Sequence, residues 1–137
     1  MGSVSVPTLE DMIDKYSIKL LVYFGSYLTE FYRDDSDIDI AYISETSLSP
    51  VEKMALYEDL IRYHRKSEID LVDLVRSDPV LRYKIALNGK VLYESEPGLF
   101  EKYQLYYIKR YYEYRPYIEE EMREICRKIR EVLDDAE

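Results

Sequence analysis

The most constraining feature of this 137-residue chain is a pair of short apolar runs joined by a polar segment. The first run, Ile18–Phe24, ends at Gly25-Ser26, and the second opens with an Asp-x-Asp motif, Asp37–Asp39. The first run has the length and composition of a buried strand. Acidic and apolar residues alternate at the start of the second run, as in a half-buried strand. We therefore expect two consecutive strands, with a glycine-serine turn after the first and paired carboxylates opening the second.

This arrangement is suited to binding phosphate and metal together. Gly25 allows a tight turn and lets phosphate approach the backbone, and Ser26 adds a hydroxyl before the free amides of a helix start. Asp37 and Asp39 would point the same way from a strand, where their repulsion raises at least one pKa. A bound cation removes that repulsion, and magnesium prefers oxygen ligands. The two motifs therefore predict a magnesium site facing a phosphate-binding loop.

Asp70 is the best candidate for a third carboxylate, which phosphoryl transfer with two metal ions generally requires. It lies within the apolar run Ile69–Val72, where an ionised Asp is costly unless it is paired or metal-bound. Asp73 is the alternative, but three residues further along a regular strand it faces the other side. A glycine-serine turn or an acidic loop alone is usually only a loop, so the hypothesis rests on the ordered combination of all three motifs.

The rest of the chain predicts helices alternating with strands. This order indicates an α/β (α+β) fold with a short mixed sheet of three to four strands flanked by helices. The predicted helices cover Leu9–Tyr16, about 50–65, and a segment capped by Ser77-Asp78-Pro79 that runs to Asn88-Gly89. The other predicted elements are strands over Glu68–Val75 and Lys90–Glu94, a turn or short helix over 26–32, and two C-terminal helices, near 99–113 and after Arg115-Pro116.

Composition argues against several classes of protein. The net charge of −9 disfavours a surface built to hold DNA or RNA, so we expect no stable nucleic-acid binding. No apolar stretch is long enough to span a bilayer, and the N-terminus lacks a secretion signal. The single cysteine, Cys126, fits a reducing compartment. We therefore expect a cytoplasmic protein that does not bind membranes.

The C-terminal part is rich in tyrosine, with seven of the sixteen tyrosines between residues 103 and 117. Interleaved with Lys109, Arg110 and Arg115, they could form a stacking surface for nucleic acid. A protein–protein interface is better supported, because acidic residues surround the segment and Tyr and Arg are enriched at interface hot spots. We also expect His64 to be exposed and non-catalytic, and Cys126 to fill the core beside an apolar stripe.

The motifs together resemble a known signature. Gly25-Ser26, about ten residues, Asp37–Asp39 and the later Asp70 are similar to the signature of minimal nucleotidyltransferases, a branch of the DNA polymerase beta superfamily. Segments 69–74, 81–86 and 89–94 are similar to MntA-type antitoxins of that branch. The resemblance implies a single nucleotidyltransferase domain over residues 1–137, with a core over 18–95 and a helical extension over 97–135. Family members often read Gly-Ser-x-Ala-Arg-Gly-Glu, whereas this chain has Leu28-Thr29-Glu30 in place of Ala-Arg-Gly.

The resemblance also implies a reaction. Asp37, Asp39 and Asp70 would hold two magnesium ions and be the catalytic residues. Gly25 and Ser26 would contact the phosphates of ATP. Antitoxins of this kind are paired with HEPN-domain toxins, which are ribonucleases, and transfer AMP to a toxin tyrosine, so a hetero-oligomer with the toxin is expected.

Two alternatives stay open from the sequence. The altered segment after the glycine-serine turn lacks the arginine, which favours an antitoxin that neutralises its toxin by binding alone. Nucleotidyl transfer to a small molecule is the other, although such enzymes usually carry an additional acceptor domain and this chain is short.

Overall fold

Four strands form one mixed sheet in the computed structural model, which describes residues 6–25 and 37–136. The central strand β1 is antiparallel to both of its neighbours, β2 and β4, and β2 is parallel to β3. The order across the sheet is β3-β2-β1-β4, which confirms the predicted fold class. The strands are β1 (Ile18–Phe24), β2 (Ile38–Ser44), β3 (Ile69–Asp73) and β4 (Lys90–Glu94).

Four helices accompany the sheet, namely α1 (Leu9–Tyr16), α2 (Pro50–His64), α3 (Pro79–Asn88) and α4 (Leu99–Asp135). The first two begin with reciprocal capping boxes, in which the side chain of Thr8 or Ser49 accepts from the backbone N–H three residues later. Asp78 caps α3 in the same way without the reciprocal bond. These starts are the ones that the local sequence predicts. The predicted turn or helix over 26–32 lies outside the described residues.

Helices cover both faces of the sheet, and β1 carries apolar side chains on each face. Leu21 contributes to a first core with α1 and α2, around Met12 and Leu56. Its neighbours Leu20 and Val22 contribute to a second core with α3 and the start of α4, which includes residues Ile85, Phe100 and Tyr107. Side chains alternate along a strand, so each residue of β2 and β3 also belongs to one face or the other.

The prediction of two C-terminal helices is wrong. It forms one helix of 37 residues, α4, with Pro116 inside it. Proline lacks the N–H that would bond to the carbonyl of Tyr112, so one helical hydrogen bond is lost. The helix nevertheless continues on both sides of the proline, from Leu99 to Asp135.

The second half of α4 does not pack on the sheet. Beyond Ile118 every described side chain except that of Glu124 is exposed. Cys126 is exposed as well, so its predicted place in the core is wrong. Among the described residues, no helix combines the length and apolarity needed to cross a membrane.

Candidate active site

Asp39 and Asp70 face each other across two parallel strands. They are register partners on β2 and β3, as are the residues just before them, Ile38 and Ile69. Both isoleucines are buried in the first core. The aspartates therefore share the opposite face of the sheet, on strands about 4.8 Å apart. The structure brings together two of the three carboxylates that we selected from the sequence.

The environment of Asp39 disfavours its ionised form. Burial raises the pKa of this carboxyl above its ordinary value, and the negative charges of Asp70 and Asp37 and a hydrogen bond with Asp70 raise it further. Asp39 is half-buried, whereas Asp37 and Asp70 are exposed. Asp39 is thus the member of the group on which both other carboxylates act. A cation shared between these oxygens would reverse the effect.

Gly25 brings the end of β1 against the same carboxylate. Its φ is +78°, a left-handed conformation that side chains rarely adopt. A Cβ atom at this position would clash with Oδ2 of Asp39. The contact follows from the sheet register, because Phe24 pairs with Asp39 across β1 and β2. Only glycine lets the turn approach the carboxylate this closely.

The turn after Gly25 has two further sequence features. Ser26 and the departure at Leu28-Thr29-Glu30 fall outside the described residues. Their roles stay predictions from the sequence.

The carboxylates have the chemistry of a magnesium site without the closed geometry of one. Within the described ranges, no set of three His, Cys, Asp or Glu side chains is arranged to hold a metal ion. Magnesium, however, usually binds through one or two carboxylates and completes its shell with water and substrate phosphates. The close pair Asp39 and Asp70, with Asp37 beside them, fits that requirement for oxygen ligands.

Asp73, the alternative third carboxylate, belongs to a different environment. It is the register partner of Tyr42, whose side chain lies in the first core. One of its oxygens lies 3.8 Å from Nε of Arg76. Burial and the charge of Asp73 raise the pKa of Tyr42 to about 12. Asp73 is therefore engaged away from Asp39, and the geometry favours Asp70 as the partner of Asp39.

A second feature lies on the face that carries the aspartates. A cleft of about 490 Å³ opens between α3 and α4. The guanidinium of Arg82 lies over the ring of Tyr107 at 5.4 Å, and its Nε donates to the carbonyl of Leu74 at 3.2 Å. Burial raises the pKa of Tyr107 to about 12. The lining residues are Pro79, Arg82, Tyr107, Arg110, Glu113, Tyr114 and Tyr117.

The sequence indicated part of this cleft. The alternation of tyrosine and basic residues pointed to a binding surface on α4. It did not include Arg82, since an arginine within a short helix resembles an ordinary surface residue, and only the packing of α3 on α4 reveals its position.

His64 is not the exposed residue that we expected. It is half-buried at the end of α2, where its Nε2 lies 2.7 Å from the hydroxyl of Tyr23 and its Nδ1 lies 3.0 Å from the carbonyl of Leu60. The carbonyl can only accept, so Nδ1 carries the proton and Nε2 accepts from the tyrosine. Burial lowers the pKa of this imidazole. The residue is a structural link between β1 and α2.

Comparison with known proteins identifies the family of this chain. Residues 8–97 match the family model described as polymerase beta, nucleotidyltransferase. The chain is 32% identical over 91 residues to protein adenylyltransferase MntA of Shewanella oneidensis. That match covers 66% of this chain and 63% of the relative, so it spans less than two thirds of the relative's length.

Solved structures share the fold. A chain in the crystal structure of a toxin–antitoxin pair with AMP-PNP has a TM-score of 0.67 and 25% identity, covering 83% of this chain and 95% of that chain. A chain in the structure of a tri-AMPylated HEPN toxin of Shewanella oneidensis with its MNT antitoxin has a TM-score of 0.61 and 27% identity, covering 83% and 89%. The matched family region contains Gly25, Asp37, Asp39 and Asp70. The chain belongs to the polymerase beta nucleotidyltransferase family.

Proposed function

We propose that this protein is an antitoxin that transfers AMP from ATP to a tyrosine of a HEPN-domain toxin. The observation that carries the proposal is the pairing of Asp39 with Asp70 beside Gly25, in a member of the nucleotidyltransferase family. A face of the sheet that combines adjacent carboxylates with a glycine turn is suited to a metal-bound nucleotide.

The relatives indicate which group is transferred and to which acceptor. One of them is a protein adenylyltransferase, and a structural neighbour is an MNT antitoxin in complex with a tri-AMPylated HEPN toxin. Another neighbour contains AMP-PNP, an analogue of ATP. By analogy, we assign ATP as the substrate, a HEPN toxin as the acceptor and a hetero-oligomer of the two chains as the working complex.

Each site residue has a role in this reaction. Asp37, Asp39 and Asp70 would hold two magnesium ions, while Gly25 and Ser26 would contact the nucleotide phosphates. When bound, the ions would neutralise negative charge on the phosphates and on the leaving pyrophosphate. The raised pKa of Asp39 supports this assignment, since a carboxylate crowded by others gains most from a cation.

The chemical step is an in-line displacement at the α-phosphorus of ATP. The phenol oxygen of the toxin tyrosine forms a bond to this phosphorus, and the bond from the phosphorus to the bridging oxygen of pyrophosphate breaks. The phenol proton must leave as the bond forms. Asp70, the exposed member of the Asp39 and Asp70 pair, is suited to accept that proton. The products are an AMP-tyrosine ester and pyrophosphate.

The acceptor protein needs a surface to bind. The cleft between α3 and α4 offers aromatic rings and Arg82 on the face of the sheet that also carries Asp39 and Asp70. Tyrosine and arginine are the residues enriched in the centres of protein interfaces. We assign this cleft to toxin contact. With ATP as substrate and one cysteine in the chain, we place the reaction in the cytoplasm.

The test is label transfer from ATP labelled at the α-phosphate, with the purified toxin and magnesium. We expect label on the toxin with the natural chain and none with Asp70→Asn. The matched control is Asp73→Asn, which removes a carboxylate from the same strand but on the other face, and should retain transfer. Absence of label from the natural chain in a confirmed complex would defeat the proposal.

Neutralisation by binding alone is the second candidate. It is favoured by the altered segment Leu28-Thr29-Glu30, which lacks the arginine of the family pattern. Toxin activity measured with Asp39→Asn distinguishes the two candidates. A blocked toxin with this variant supports neutralisation by binding, and a toxin that stays active supports adenylyl transfer.

A further inference from the structure

The second half of α4 carries an apolar stripe that nothing in the described chain covers. Its residues follow one another at steps of four, three, four and three positions, which is the heptad pattern of helices that pair. Four of them are half or more exposed, Met122 at 54%, Ile125 at 50%, Ile129 at 52% and Val132 at 67%, and the stripe begins at the half-buried Ile118.

This segment has little else to stabilise it. The buried residues of α4 are Leu99, Phe100 and Tyr107, all in its first half. Most helical stability in proteins comes from packing an apolar face, and beyond Ile118 the described part of α4 buries none. The ion pairs along the segment are surface pairs, which contribute little. A partner that covers the stripe would supply the missing packing.

The charges beside the stripe indicate what that partner is. Most charged side chains of the segment pair within the helix, as Arg115 with Glu119, Arg123 with Glu120, and Arg127 with Glu124 and Glu131. Glu121 and Lys128 form no ion pair with any described residue. Glu121 and Lys128 are seven residues apart, so they occupy the same position in successive heptads. This position directly flanks the apolar stripe, where the two helices of a coiled coil form ion pairs with each other.

A second copy of the helix satisfies both charges in one arrangement. If two copies run antiparallel with Met122 opposite Ile125 of the other copy, Glu121 of each lies beside Lys128 of the other. A shift by one heptad in either direction brings Lys128 against Lys128 or Glu121 against Glu121. Parallel helices would place these charges beside Cys126 and Leu133 instead. Only the first register pairs opposite charges.

We propose that this stripe is a self-association surface, on which two copies of the chain pair antiparallel through the second half of α4. In this register four apolar residues of each copy, Ile118, Met122, Ile125 and Ile129, face the stripe of the other copy, which makes an interface small beside the roughly 1,200 Å² of a typical specific interface. The dimer is therefore reversible and depends on protein concentration. The pairing leaves the sheet and its aspartates free, so it is independent of nucleotide transfer.

Sedimentation of the full-length chain over a range of concentrations tests the surface. The natural chain should shift from monomer to dimer, and Lys128→Glu should weaken association at least tenfold. Combining Lys128→Glu with Glu121→Lys should restore it, because the exchanged charges pair again. Lys53→Glu, a charge reversal at an exposed position of α2, should leave association unchanged. Circular dichroism of each variant verifies folding.

A disulfide experiment tests the register. In the proposed pairing Glu119 lies opposite Cys126 of the second copy, so oxidation of Glu119→Cys should yield a covalent dimer. Leu133→Cys is the matched control and should not cross-link. A natural chain that cross-links through Cys126 alone would show a different register and overturn the pairing.

Two further outcomes would overturn the proposal. One is a natural chain that stays monomeric at every concentration. If Ile125→Glu then abolishes binding to the toxin, the stripe is a toxin contact and not a self-association surface. The other is a dimer that neither Ile125→Glu nor Lys128→Glu weakens, since its interface would lie elsewhere.

Discussion

Asp39 and Asp70 are register partners on the parallel strands β2 and β3, and each follows an isoleucine buried in the first core. Burial of the isoleucines on one face fixes the aspartates on the other. A shift of either strand by one residue would send its own carboxylate into the first core. The packing of the sheet thus holds two like charges together, which is costly for folding and is relieved when a cation binds.

Asp39→Asn should stabilise the protein at neutral pH in buffer without divalent metal. The folded-state pKa of Asp39 lies above its ordinary value, so the folded state binds this proton more tightly than the unfolded state. The folded protein therefore loses stability as pH rises from the ordinary pKa of an aspartate through the raised pKa of Asp39, and the loss persists at pH 7. Thermal unfolding should show a higher Tm for the variant. A lower Tm would contradict the repulsion.

Magnesium should stabilise the natural chain through the same carboxylates. A ligand that binds only the folded state adds stability of about 2.7 kcal/mol at one hundred times its dissociation constant. We expect the Tm to rise with added magnesium for the natural chain and for Asp73→Asn, and to stay constant for Asp39→Asn. An equal rise in all three proteins would show that the ion binds elsewhere.

Gly25→Ala should impair both stability and nucleotide transfer. A left-handed conformation costs a non-glycine residue about 1–2 kcal/mol, and the added Cβ also meets Oδ2 of Asp39. Gly98→Ala is the matched control, because Gly98 has a similar φ of +82° but nothing lies within 4 Å of its Cβ position. Denaturant unfolding should show a larger loss for Gly25→Ala, and label transfer should be lost only there. Equal losses for the two variants would refute the close contact with Asp39.

His64 should make the protein less stable in mild acid. Its pKa in the folded protein lies below the ordinary 6.5, so the unfolded state binds the proton more readily. Its contribution to stability is complete above pH 6.5 and declines as pH falls through that value toward the folded pKa. The chain has one histidine, so His64→Gln should flatten the change in unfolding free energy between about pH 7 and pH 5. If the unfolding free energy of His64→Gln changes with pH as much as that of the natural chain, other groups cause the pH dependence.

The sequence predicted the local features of the fold and of the candidate site. Helix starts at Thr8, Ser49 and Asp78 follow from side chains that cap the helix, and β1 follows from its apolar run. Glycine at position 25 follows from the turn at which β1 ends. These signals lie within a few residues of the structure that they specify.

Features that depend on tertiary packing could not be read in this way. The adjacency of Asp39 and Asp70 requires β3 to lie beside β2, which no local pattern encodes. Pro116 indicated a break in the C-terminal helix, but the rest of the helix outweighed one lost hydrogen bond. His64 lies among basic residues in sequence, yet its position against Tyr23 leaves it half-buried.

Intact-mass spectrometry of the HEPN toxin, after incubation with this protein, ATP and magnesium, decides whether the chain is a protein adenylyltransferase. We predict a mass gain equal to one or more AMP groups, located on tyrosine by fragmentation, and no gain with an Asp39→Asn variant that still binds the toxin. An unmodified toxin recovered from a stable complex with the natural chain would contradict adenylyl transfer.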